Sequence, residues 1–437
     1  MVELIWDGKY DAEGRRVAPP RIALPFQTVE TVNETAQERQ AQFDLFATGR
    51  DPAWRNRLIW GDKKYVLPSL LPEFAGKVDL VYIDPPFDTG ADFSFTAQIP
   101  DNPETDEDEG TSFTKQPSML EVKAYRDTWG SGLDTYLKWF YETAVTLRDL
   151  LSDRGSIYVH LDWHVAHESK VVLDEVLARE HFRNDVVWKS APSHGDAELM
   201  ASVHNYIMLY SKSNDVLWNS EFQPYDEDYL AQHYQKVDRS TGRLFEDDNL
   251  TAYGLKGGGY EYVWKGVKKL WRCPEPTMRQ HEANDRLYYT RNGIARYKRF
   301  LDEMPGMPLT DLWADIPRVN SQALERVGYD TQKPERLLSR IISASSNPGD
   351  LVLDCFAGSG TTAAVAEKLG RRWITADLGR FAIHTTRKRL LGIPDVKPFA
   401  VQNLGKYERQ AWQVAEFGER DDIEARHGCA SDFCTGE

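Results

Sequence analysis

Two short stretches of this 437-residue chain hold residue types that can do chemistry. The first is Asp84-Pro85-Pro86-Phe87, a carboxylate followed by two ring-locked residues and an aromatic face. An exocyclic aromatic amine has its lone pair delocalised into the ring, so its nitrogen is a poor nucleophile until acceptors hold both hydrogens. The Asp84 carboxylate and the Pro85 carbonyl can be those acceptors, and prolines with φ near about −65° keep them in place. Phe87 offers a plane for a stacked heterocycle, a contact worth about 1–3 kcal/mol. Asp84 can then take the departing proton. Taken alone, Asp-Pro-Pro is as readily an ordinary turn that ends a strand.

The second stretch is Asp354-Cys355-Phe356-Ala357-Gly358-Ser359-Gly360-Thr361-Thr362. Gly358 and Gly360 admit positive φ and let a ligand approach the backbone. Thr361 and Thr362 stand where the following helix needs caps. Asp377, about 20 residues on, ends the next strand and can accept from ribose hydroxyls. A dinucleotide, a nucleoside triphosphate and S-adenosylmethionine compete for such a turn. The third glycine of the dinucleotide fingerprint is missing, and no Gly-Lys-Ser/Thr exists to hold a triphosphate, so S-adenosylmethionine fits best.

Both stretches need strands to hold them. Val78–Ile83 is a near-continuous apolar run, typical of a buried parallel strand, and puts Asp84 at a carboxyl end. Further strands are predicted over 58–60, 156–161, 185–188, 206–210, 351–355 and 372–376. Helices are predicted over 65–74, 133–151, 166–178, 333–345 and after Gly360. This alternation is an α/β pattern with a mostly parallel, Rossmann-like sheet. Residues 1–50 read as an extended N-terminal arm with a short helix, 91–125 as a long loop, and 405–437 as a polar tail.

The rhythm is lost over 215–325, a Tyr-, Trp-, Gly- and Arg-rich insert between the halves 51–214 and 326–404. The net charge of −15 argues against phosphate binding, but residues 256–300 carry eleven Lys or Arg against four acids. Lys265, Lys268, Lys269, Arg272 and Arg279 are the expected phosphate-contacting set. The acidic run 101–109 reads as a solvated loop, or as a lid over the site. Four cysteines are too few for a disulfide framework, and no signal sequence or membrane-length apolar run is visible, so a cytoplasmic chain with reduced thiols is expected. His160, His164 and His167 with Glu168, and the Cys429/Cys434/His427 group, have spacings that suggest a metal, but methyl transfer needs none and none is expected.

Together the two stretches resemble the amino-group DNA methyltransferases. The order, with Asp-Pro-Pro-Phe before the glycine turn, is similar to that of type III modification subunits. WGDKKYVLPSL, VDLVYIDPPFDTGADF, GSIYVHLDWHVAHESKVVLDEV, NDVVWKS, HNYIMLYSKS, GYDTQKPERLLSRIISASSNPGDLVLDCFAGSGTT and RRWITADLGR carry the likeness. The resemblance implies a circularly permuted sheet. It makes Asp84, Pro85, Pro86 and Phe87 catalytic, and Asp354 with Phe356 through Thr362 and Asp377 cofactor-binding. It also places Asp62 near the cofactor's adenine and Thr331-Gln332-Lys333-Pro334 near its methionine end. Cys355 stands where relatives often have Pro, and Phe87 where many have Tyr.

The implied activity is transfer of a methyl group from S-adenosylmethionine to N6 of adenine in double-stranded DNA, with the target base flipped out. The competing readings are N4-cytosine methylation, a silent DNA-binding subunit and RNA modification. The insert takes the place of the target-recognition region. A second copy of the chain, or subunits of a restriction or defence system, are the other expected partners, with no membrane.

Overall fold

The computed structural model describes residues 3–33, 54–86, 132–192, 199–253, 258–320, 322–329 and 331–408, and the backbone of 95–99 and 111–115. The chain divides into two compact units, 1–219 with 310–437, and 220–309.

In the larger unit, β1 (Gln27–Val32) precedes β2 (Asn56–Trp60), α1 (Lys63–Phe74) and β3 (Val78–Ile83). A hairpin, β4 (Phe95–Ile99) and β5 (Thr111–Lys115), stands where a loop is expected over 91–125. Its ten residues pair in register, and the alternation of Phe95, Ala97 and Ile99 with Thr96 and Gln98 is the period of such a strand. The acidic run 101–109 between these strands lies outside the described residues. Next come α2 (Leu133–Leu150), β6 (Leu151–Leu161), α3 (Ala166–Leu177), β7 (Phe182–Lys189) and β8 (His204–Ser211).

The smaller unit holds β9 (Phe222–Gln223), α4 (Glu227–His233), β10 (Lys236–Val237), β11 (Leu244–Asn249), β12 (Tyr260–Trp264), β13 (Val267–Trp271), α5 (Glu275–Ala283), β14 (Leu287–Tyr289), β15 (Ala295–Phe300) and β16 (Met307–Pro308). Its sheet runs β10-β11-β15-β14, and β12 pairs with β13 as a separate hairpin. The hairpin turns on Lys265 and Gly266, both at positive φ, as a right-twisted two-residue turn requires. Trp264, Trp271, Met278, Leu287, Leu250 and Ala295 form its core. This unit is narrower than the expected insert, because 310–325 folds with the larger unit: β17 (Leu312–Trp313) joins the main sheet beside β7.

The larger unit finishes with α6 (Glu335–Ser345), β18 (Leu351–Asp354), α7 (Thr361–Lys368), β19 (Arg372–Asp377), α8 (Arg380–Leu391) and β20 (Phe399–Asn403). The strand order is β1-β20-β2-β19-β18-β3-β6-β8-β7-β17. Strands β20, β2, β19, β18, β3 and β6 are parallel, and β8 is antiparallel to its neighbours. The fold is therefore a Rossmann-like α/β sheet, mostly parallel.

Alternate residues of β3 serve opposite faces. Val81 and Ile83 pack with residues of α1, α2 and α3, whereas Leu80 and Tyr82 pack with residues of α6, α7 and α8. The arm contributes more than an overlay: β1 closes the sheet edge antiparallel to β20, and Trp6 is buried in the core. The short helix expected near residue 40 and the tail beyond 408 lie outside the described residues, and with the tail Cys429, Cys434 and His427. No described helix is long and apolar enough to cross a membrane.

Candidate active site

Strands β18 and β3 are neighbours in parallel register, Val352 opposite Leu80 and Leu353 opposite Val81. From this pair the chain leaves towards β19 on one side and β6 on the other. That reversal opens a crevice at the carboxyl ends, where open α/β sheets bind ligands. Asp84-Pro85-Pro86 follows β3 and the glycine turn follows β18, so residues 270 positions apart in sequence share one edge.

The glycine turn is closed by its own hydrogen bonds. Gly358 and Gly360 have φ of 51° and 73°. A Cβ on Gly360 would lie 2.6 Å from Thr386, so glycine is required there by space as well as by conformation. Asp354 accepts from the Phe356 N–H at 2.9 Å and the Thr362 hydroxyl at 2.6 Å. Full burial, reinforced by the nearby Asp84 and Asp377 charges, pushes its carboxyl up to about 7. Ser359 and Thr361 share a 3.0 Å hydroxyl contact, and Ala357 N–H donates to Ala376 O at 2.9 Å.

Asp377 accepts from Gly358 N–H at 2.8 Å and Gly379 N–H at 2.7 Å, which staples the turn to the end of β19. Asp62 caps α1 by accepting from Lys64 N–H at 2.8 Å, and its own N–H donates to Glu408 at 2.8 Å. Gly61 N–H donates to Asp377 O at 3.0 Å, so Asp62 is tied to the same edge.

The Asp84 end is closed by distant residues instead. Lys333, whose own carbonyl accepts from Thr361 at 3.1 Å, forms an ion pair with Asp84 Oδ2. Asp84 Oδ1 is buried and has no hydrogen-bond partner among the described residues. His160 lies beside it, Nδ1 3.9 Å from Oδ1. Tyr82 at Nδ1 and Asn205 at Nε2 hold that ring, each at 2.9 Å. Burial pushes His160 down to about 3, so it is neutral. Pro85 is buried and Pro86 half-buried; Phe87 lies outside the described residues.

Some residues escape sequence reasoning. His160 reads there as one of a possible metal cluster. In the structure His164 instead stacks on Trp163 and bonds Asp162 at 2.6 Å, and His167 packs edge-on to Tyr206. The described residues bring together no group of three His, Cys, Asp or Glu that could hold a metal. Lys63 is also unforeseen. It is buried, with Nζ 4.2 Å from the centroid of Trp139, whose ring packs on Phe356 at 5.5 Å. Burial lowers the Lys63 pKa. The parallel pairing of β3 with β6, Ile83 opposite Val159, is the signal that puts His160 level with Asp84.

The five basic residues of the smaller unit do not share one face. Lys268 and Lys269 are adjacent on β13 and point to opposite sides of the hairpin. Lys265 pairs with Glu282, Lys268 with Glu261 at 3.1 Å and Arg279 with Glu275 at 2.6 Å. Lys269 lies 5.7 Å from the Tyr253 ring centroid, and Arg272 donates to Thr251 O at 3.1 Å. The three ion pairs are solvent-exposed and screened, so each opens at little cost.

Comparison with known proteins gives a consistent picture. The N6/N4 methyltransferase family, described as DNA methylase, matches residues 78–388. Type II methyltransferase M.EcaI of Enterobacter cloacae is 31% identical over 76% of this chain and 69% of its own length. The StyLTI Mod subunit, of a type III restriction-modification enzyme of Salmonella typhimurium, is 27% identical over 70% of this chain, which spans about half (49%) of that relative's length. DNA adenine methyltransferase YhdJ of Escherichia coli is 51% identical over 80 residues, 18% of this chain and 27% of its own.

Proposed function

Because the chain belongs to the N6/N4 DNA methylase family, we propose that it transfers a methyl group from S-adenosylmethionine to the N6 amino group of adenine in double-stranded DNA. The observation that carries this reading is the Asp84 carboxylate, with one oxygen buried and unbonded, beside a glycine turn on the adjacent strand.

The residues present suit the methyl donor. Gly358 and Gly360 give the positive φ of a tight turn, the Asp377 carboxylate stands at the edge of that turn as an acceptor for ribose hydroxyls, and Lys333 offers an ammonium. When bound, S-adenosylmethionine supplies an electrophilic methyl group. Asp84 Oδ1 and the Pro85 carbonyl accept the two amino hydrogens, which localises the nitrogen lone pair. Neutral His160 keeps Oδ1 free of a competing cation, and Phe87 stacks on the base. Asp84 then takes the proton, which passes to water. The amino group is out of reach inside a duplex, so the target nucleotide is flipped out at a cost of a few kcal/mol.

Adenine is favoured over cytosine by Asp at the head of the tetrad, and by the name of the Escherichia coli relative. Residues 220–309 read the sequence. The type III relative is named as a subunit, which supports a place in a restriction-modification system; enzyme action on cellular DNA puts the chain in the cytoplasm. The test is incubation of the purified chain with tritiated S-adenosylmethionine and mixed-sequence genomic DNA lacking native methylation, followed by nucleoside analysis. Labelled N6-methyladenine is the expected product. Labelled N4-methylcytosine would overturn the adenine assignment, and label that persists in Asp84→Ala would overturn the site.

A further inference from the structure

Lys333 joins the two halves of the site. Its carbonyl accepts from Thr361 Oγ1 at the start of α7, and its ammonium pairs with Asp84 Oδ2 beyond β3. Both side chains are largely covered, 14% and 18% exposed, so the pair is weakly screened by solvent. Of the other titratable groups near Asp84, His160 is neutral, and Tyr82 and Asp354, both pushed up by burial and by the Asp84 charge, carry no positive charge. Among the described residues Lys333 is therefore the cation that compensates the Asp84 charge.

A methyl donor held at the glycine turn must present its sulfonium between that turn and Asp84, because the methyl group goes to a nitrogen at Asp84. Its α-carboxylate is only a few bonds from the same sulfur and needs a cation nearby. Arg389 is engaged: it donates to Thr361 at 2.9 Å and pairs with Glu335 at 2.9 Å. Lys63 packs against Trp139 on the sheet face of α1 and α2. Lys333 stands between the turn and Asp84.

We propose that the Lys333 ammonium is shared by two carboxylates, so that the donor's α-carboxylate draws it from Asp84 and leaves both Asp84 oxygens to the base. Lys333 is then a positioning residue, and Asp84 and the donor's amino-acid end are coupled through it. One ammonium can reach two carboxylates through its three N–H donors, but its single charge divided between them holds each less firmly, so each weakens the other's hold. Such coupling is reciprocal. The donor thereby prepares the base's acceptor, and a base captured before the donor meets a carboxylate still engaged by lysine. The inference rests on the methyl-transfer reading above.

Isothermal titration of the full chain tests it without DNA. One ligand is S-adenosylhomocysteine, which carries the α-carboxylate. The other is methylthioadenosine, which lacks the amino-acid end. Asp84→Asn should tighten S-adenosylhomocysteine about 5-fold or more and leave methylthioadenosine within about 2-fold, the latter reporting an intact fold. Lys333→Met should weaken S-adenosylhomocysteine about 10-fold, again sparing methylthioadenosine. In the double variant the gain from Asp84→Asn should vanish. Asp84→Asn that leaves S-adenosylhomocysteine unchanged or weaker, or a gain that survives without Lys333, would overturn the exchange alone. A wild-type chain that binds neither nucleoside would overturn the methyl-donor reading, and the exchange with it.

Discussion

The two turns that face each other across β18 and β3 are built on opposite plans. The glycine turn is satisfied from nearby in the chain: Asp354 accepts from Phe356 and Thr362, and Gly358 donates to Asp377 at the end of the next strand. The Asp84 turn takes its surroundings from far away: Lys333 from before α6 pairs with Oδ2, and His160 of β6, held by Asn205 of β8, lies 3.9 Å from the unpartnered Oδ1. The bonds of Asp354 can form as soon as β18 and its turn do, whereas the contacts with Asp377 and Thr386 wait for β19 and α8 to pack. A carboxylate set among three distant segments takes its electrostatics only from the finished sheet, which suits a group whose partner must change during a reaction.

The largest effect should come from separating the two turns chemically. Asp84→Ala should lower methyl transfer by about 10²-fold to 10⁴-fold while methylthioadenosine still binds, as tritium transfer and calorimetry would measure. Equal loss of nucleoside binding would erase the distinction between the turns. Gly360→Ala should do the reverse of a clean chemical lesion, removing cofactor binding and destabilising the fold by about 1–3 kcal/mol through its φ of 73° and the Thr386 contact. Thr386→Ala in that background should recover part of the stability in a denaturant melt, since it removes the two atoms at 2.6 Å.

A subtler contrast lies in pH dependence. Asp354 is raised from 3.8 to about 7, so its contribution to stability is full below about pH 3.8 and is lost as pH rises towards 7. His160 is lowered from 6.5 to about 3, so its contribution is full above pH 6.5 and is lost as pH falls towards 3. Between pH 3.8 and 6.5 the two oppose one another. Thermal melts of Asp354→Asn should therefore lose stability more steeply on acidification than wild type, and those of His160→Gln less steeply. Identical slopes in the two variants would mean that neither group titrates as its burial demands.

The smallest effect belongs to the hairpin of the other unit. Residues 220–309 carry fourteen Lys and Arg against fourteen Asp and Glu, so the whole charge of −15 resides in the remainder of the chain. Lys268→Ala should weaken DNA binding uniformly across sequences and reduce the salt slope by about 1, read by fluorescence anisotropy at several ionic strengths. An unchanged slope would remove Lys268 from the phosphate contacts.

Much of this arrangement is legible in the residues. Val78–Ile83 and Leu351–Asp354 are apolar runs short enough to be buried strands, and each ends in a turn that its residues dictate, two prolines in one and paired glycines in the other. The hairpin of β4 and β5 was hidden although Phe95, Ala97 and Ile99 alternate with Thr96 and Gln98, because the Pro, Gly, Ser and acidic residues around so short a run read as loop. Strand β20 was hidden as well, although Phe399, Ala400 and Val401 are buried, because so short a run after α8 carries no period. The likeness in the basic segment was one of composition, which cannot say that Lys268 and Lys269 face apart.

The sequence alone determined the chemistry available at each turn, because proline rings, glycine φ and a strand-ending carboxylate act within a few residues. Only the tertiary structure decided the state of that chemistry. It set Asp84 level with His160 through the β3–β6 register, brought Lys333 to Oδ2 and left Oδ1 buried without a partner. Those are properties of charge and burial, which depend on what surrounds a group rather than on what precedes it in the chain.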